Sequence, residues 1–96
     1  MRPWLAAGLT VTRAALDAVE AHARRCYPAE CCGLLAGPAG ELGRVDAALP
    51  FDNLADRYHE GDPGAFPRTS REAYVMNGAR VPDAMARAEA AGRPVK

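Results

Sequence analysis

Lysine is almost missing from this chain: Lys96 is the only one, and arginine supplies the other cations. Twelve basic and twelve acidic residues cancel, which leaves no electrostatic footprint for nucleic acid. No block of like charge exceeds a pair such as Arg24 and Arg25, so charge patterning offers no partner. Long hydrophobic runs are missing too. The opening MRPWLAAGLTV has one arginine and a short apolar piece broken by Gly8, too weak for a signal peptide, and nothing later approaches the length of a membrane span. A cytoplasmic, reducing compartment is therefore expected. Aromatic residues make up only 6% of the chain while alanine is abundant, which predicts a core of small side chains. The three cysteines are an odd number, two of them adjacent, with no Cys-x-x-Cys; free thiols are expected, not a disulfide framework. Internal repeats and low-complexity tracts are also missing.

What is present is the composition of a soluble globular protein, 49% hydrophobic and 25% charged. Ninety-six residues make one domain, 1–96, with a single modest core, since a chain of this size buries somewhat more than ~60% of its unfolded surface. Residues 5–11 read as a short strand. Thr12 is a good N-cap, and residues 13–25 carry a helical pattern, with Ala15, Leu16, Val19 and Ala23 on one face. His22 falls on the more polar side and is expected exposed. Arg24 and Arg25 suit the last turn, and Pro28 forbids continuation.

Residues 31–36 form an unbroken run of small or apolar residues between Pro28 and the Gly37-Pro38-Ala39-Gly40 turn, the pattern of a strand buried on both faces. Residues 43–49 are its expected hairpin partner. Residues 50–71, rich in Asp, Pro, Gly and Arg without a sustained period, read as a long irregular loop. A short strand is expected at 73–76. A second helix follows over 82–91, starting at Asn77 or at Pro82, with Met85, Ala88 and Val81 facing inward and Gly92 closing it. Residues 93–96 look like the opening of another strand. The order implies an α/β (α+β) fold, a mixed sheet flanked by helices.

One stretch carries chemistry. Tyr27-Pro28-Ala29-Glu30-Cys31-Cys32-Gly33-Leu34-Leu35-Ala36-Gly37, led into by an amphipathic helix, resembles the opening of the JAMM (MPN-plus, or JAB domain) metallopeptidases. Asn53 after an apolar strand, and an Ala-rich helix ending in glycine before a valine-bearing strand, match the same layout. The resemblance implies a JAMM/MPN-like, cytidine-deaminase-like core and a zinc-dependent hydrolase of peptide or isopeptide bonds at the C-terminus of ubiquitin-like or sulfur-carrier proteins. It implies that Glu30 is the catalytic general base to zinc-bound water, whose pKa the metal lowers to about 7.

The family holds zinc with a His-x-His pair and an Asp some ten residues further on, after the strand that follows the second helix. The only histidines here, His22 and His59, form no such pair, so this chain is expected to be the N-terminal portion of the domain, inactive alone and not binding Zn2+. Cys26, Cys31 and Cys32 lack structural-zinc spacing. Tyr58-His59-Glu60-Gly61-Asp62 offers ligand types in a polar loop, where such groups are usually just solvated. Two other readings stay open. A non-catalytic scaffold would bind a partner, or a second copy, through the sheet edge the absent strands would cover. A small thiol protein would need a cysteine of depressed pKa.

Overall fold

The computed structural model describes residues 8–96. Its first element is β1 (Thr10–Val11), and residues 5–7 of the strand expected there lie outside the described part. Thr12 follows with extended backbone. Its hydroxyl oxygen accepts the Ala15 amide at 3.2 Å, satisfying an orphan donor at the start of α1 (Arg13–Cys26). The helix stops at Tyr27, whose ψ of 135° is extended, ahead of Pro28, and the Tyr27–Pro28 peptide is cis. Arg24 and Arg25 stand exposed in the last turn.

Three strands come next, β2 (Cys32–Ala36), β3 (Arg44–Val45) and β4 (Ala47–Phe51). β1 runs parallel to β3, with Thr10 opposite Arg44. β2 runs antiparallel to β4, from Cys32 opposite Phe51 to Ala36 opposite Ala47. The hairpin partner expected over 43–49 is therefore divided: its front serves β1 and the rest pairs with β2. Gly37 lies where the two sheets meet, and a Cβ there would overlap the Arg44 carbonyl oxygen, so only glycine fits. Gly33 is nearly as constrained, since its Cβ would stand 2.5 Å from the Leu49 carbonyl oxygen.

The structure corrects several expectations. β2 is not buried on both faces: Cys32 and Ala36 are buried, Gly33 is exposed, and Leu34 and Leu35 are half-buried. α1 packs on this sheet through β4, and Gly33 stays exposed. Residues 50–71 are not irregular throughout, because α2 (Ala55–Gly61) lies within them. At two turns, with Ala55 its only buried residue, it is too short to show a period. Residues 73–76 form no strand; they are tied to the fold by the Leu54 amide donating to the Val75 carbonyl at 2.8 Å and by the Asn53 side chain, which bonds to the Ala73 carbonyl and the Val75 amide. Leu16 in α1, expected inward, is 48% exposed.

α3 (Arg80–Ala90) begins before Pro82, which occupies its first turn, and Gly92 follows it with φ of +74°. Val81, Ala84 and Ala88 are half-buried, whereas Met85, expected inward, is 45% exposed. Beyond α3 the chain does open a further strand position: Val95 bridges Ala36 in antiparallel fashion, and the Lys96 amide donates to the Leu35 carbonyl at 2.8 Å. Arg93 pairs with Asp46, and the Lys96 ammonium donates to the carbonyls of Pro38, Glu41 and Leu42.

The result is a small mixed α/β domain whose described residues hold three helices and two two-stranded sheets, the α+β class expected. Among the described residues the buried apolar ones are Ala15, Cys32, Ala36, Val45 and Ala55, small side chains as the composition implies. No described helix is long and apolar enough to cross a membrane.

Candidate functional site

Glu30 stands between the end of α1 and the start of β2, with its side chain exposed. It lines a cleft of about 500 Å³ together with Ala55 of α2 and residues of the 65–75 segment, among them Phe66, Arg68, Glu72 and Tyr74. Both peptide groups of Glu30 are anchored. Its amide donates to the Ser70 carbonyl at 2.7 Å, and its carbonyl accepts from Asn53 Nδ2 at 2.9 Å.

The segment that forms the far wall is held in turn. Ser70 is buried, and its amide and hydroxyl both donate to the Asp56 carboxylate, at 2.8 and 2.7 Å. Those two bonds, the amide first and then the hydroxyl, hold the Asp56 carboxyl below the usual carboxylate range. The Tyr58 and Phe66 rings meet at 4.9 Å, and His59 Nδ1 donates to the Phe66 carbonyl at 2.8 Å. A carbonyl only accepts, so the proton of that imidazole sits on Nδ1.

His22 is not the exposed residue expected. Its Nε2 lies 3.2 Å from the carbonyls of both Cys32 and Phe51, which places the proton there and ties α1 to the start of β2 and the end of β4. Nδ1 is left facing Cys26 Sγ at 3.8 Å. The cysteines are free. Burial pushes the Cys32 thiol up, with Cys31, Cys26 and Asp52 adding to it, so that sulfur is poorly suited to nucleophilic work.

Can these residues hold zinc? A zinc site needs three or four converging nitrogen, sulfur or oxygen donors. His22 and His59 each spend a ring nitrogen on backbone carbonyls. Residues 58–62 lie in α2 and at its end, not in a loop, and Asp62 Oδ1 accepts the Ala65 amide. Among the described residues no three His, Cys, Asp or Glu side chains come together to hold a metal, and residues 1–7 contain none of these types. The residues present do not fit the family's metal.

The site thus consists of Glu30, which the sequence singled out, Asn53, which it noted only as part of the family's layout, and two residues it did not single out, Asp56 and Ser70. Only Asn53 left a trace in the sequence, as an Asn two positions before the helix residue Ala55, whose amide its Oδ1 accepts at 2.9 Å.

A helix leading through Glu30 into a strand of a small α+β domain is the layout that the Tyr27–Gly37 stretch implied. Residues 12–93 match the prokaryotic homologs of the JAB domain, and the chain belongs to that family, whose members include metallopeptidases. No curated protein and no solved structure matches it.

Proposed function

We propose that this chain is the carboxylate-bearing part of a JAB-type peptidase domain. In this reading Glu30 is the general base for cleavage at the C-terminal tail of a ubiquitin-like or sulfur-carrier protein. The 96 residues alone bind such a tail without cutting it. The observation that carries the reading is the placement of Glu30, with both peptide groups fixed, on the rim of a cleft of about 500 Å³. Phe66 and Tyr74 give that cleft apolar surface, and Arg68 offers a guanidinium to a terminal carboxylate.

Because the described residues do not fit zinc, no hydrolytic step is assigned to this chain. A strand prolonging the Val95–Lys96 line in its present register would run along β2 past Gly33 towards Glu30, so groups carried on it would arrive beside the carboxylate. The test is a titration of the chain with a fluorescent peptide ending in Gly-Gly. Saturable binding that Arg68→Ala weakens by about tenfold, the loss of one charge-assisted bond, supports the reading. Absence of binding at millimolar peptide would overturn it.

The open edge of β2 favours a second reading, a scaffold that pairs with another copy. Backbone groups in an antiparallel ladder alternate sides, so Gly33 turns its own away from β4 on the same side as Leu35. Among the described residues none pairs with it there. Such an edge recruits strands. Light scattering reads this directly: a dimer supports it, and a monomer at all concentrations ends it.

A further inference from the structure

We propose that Asn53, backed by the Asp56–Ser70 pair, is the positioning residue that holds Glu30 against the far wall of its cleft. The proposal rests on the reading of Glu30 as the working group.

A carboxamide offers two N–H donors and two acceptor lone pairs. Asn53 uses all four, and every partner is a backbone group. Nδ2 donates to the carbonyls of Glu30 and Ala73 at 2.9 and 3.0 Å, and Oδ1 accepts from the amides of Ala55 and Val75 at 2.9 and 3.1 Å. Those four groups belong to the approach to β2, the start of α2 and the far wall of the cleft. One side chain therefore sets the separation of three walls.

The second anchor reaches Glu30 from its other peptide. Its amide bonds to the Ser70 carbonyl, and Ser70 is fixed through the two bonds to Asp56, in the first turn of α2. A residue whose preceding and following peptide planes are both tied has its Cα–Cβ direction fixed, so the carboxylate swings only about its own side-chain bonds. That is what a general base needs: reach to a defined point, with few orientations to lose. Neither Asn53 nor Asp56 touches the Glu30 carboxylate by hydrogen bond, so their role is placement.

Asn53→Asp separates placement from simple support of the fold. The carboxylate keeps the acceptor pair for Ala55 and Val75 and deletes both donors, including the one to Glu30. Expected are amide-exchange rates at Ala55 and Val75 within about threefold of the parent, and a moved ¹³C shift for the Glu30 carbonyl. Affinity for the Gly-Gly peptide should fall about tenfold, one hydrogen bond's worth. An unmoved Glu30 carbonyl shift, or equal loosening of all four partners, overturns the proposal.

Should Asn53→Asp not fold, Asp56→Asn tests the other anchor. Faster exchange at the Glu30 amide with Val75 unchanged supports the proposal; unchanged exchange at Glu30 counts against it. If the parent chain binds no peptide, the tail-binding reading fails, while the carbonyl shift and the exchange rates still decide the role of Asn53.

Discussion

Two residues decide how the helical and strand parts of this domain are joined, and both do so by bonding to backbone. Asn53 bonds to four backbone groups. His22 ties α1 to the facing pair Cys32 and Phe51 through one Nε2–H. Removing it leaves two half-buried carbonyls without that donor, so His22→Ala should destabilise the chain by about 1–3 kcal/mol in a urea titration. A change below about 0.5 kcal/mol would mean that water replaces it. Asp56 gives a pH signature. Its carboxyl is held low by Ser70, so its contribution to stability is complete above the unfolded value near 3.9 and disappears as pH falls through the folded one. Stability should therefore drop more steeply below about pH 4 in the parent than in Asp56→Asn, and parallel curves would refute the assignment. Thr12, Pro28 and Gly92 were legible in the sequence because each acts on its immediate neighbours. His22 was not, because carbonyls ten and twenty-nine residues away determine its burial.

At the scale of elements, α1, β2 and α3 follow from local signals: a cap and a period, an apolar run between turn residues, and a proline in the first turn with a glycine just beyond the last. α2 escaped because a two-turn helix shows too little of its period, and because its start is fixed by an Asn whose other three bonds are tertiary. The pairing of β3 with β1, instead of with β2, is likewise a long-range choice that no residue near Arg44 declares. Gly37 tests the junction it permits. Gly37→Ala forces a Cβ onto the Arg44 carbonyl and should cost about 1–3 kcal/mol, whereas Gly40→Ala, with open space around it, should stay within about 0.5 kcal/mol. Equal effects at the two positions would show that the β2–β3 corner is not packed as described.

For the whole molecule, a core whose largest fully enclosed side chain is Val45 leaves Leu9, Val11, Leu16, Leu42 and Met85 substantially exposed. Small cores of this kind supply little surplus over conformational entropy. An isolated chain should consequently melt at a temperature that rises with protein concentration, as association covers apolar surface. A sharp transition independent of concentration would contradict this. The family itself was legible from eleven residues, Tyr27 to Gly37. The opposite wall of the cleft was not legible, because residues 65–75 are placed by Asn53 and Asp56 and not by any pattern of their own.

Zinc retention tests most directly whether Glu30 stands here without metal-holding partners. The purified 96-residue chain, dialysed against equimolar zinc and then against metal-free buffer, should retain far less than one zinc per chain. Retention of one zinc per chain, with cleavage of a Gly-Gly-linked substrate that Glu30→Gln abolishes, would contradict it.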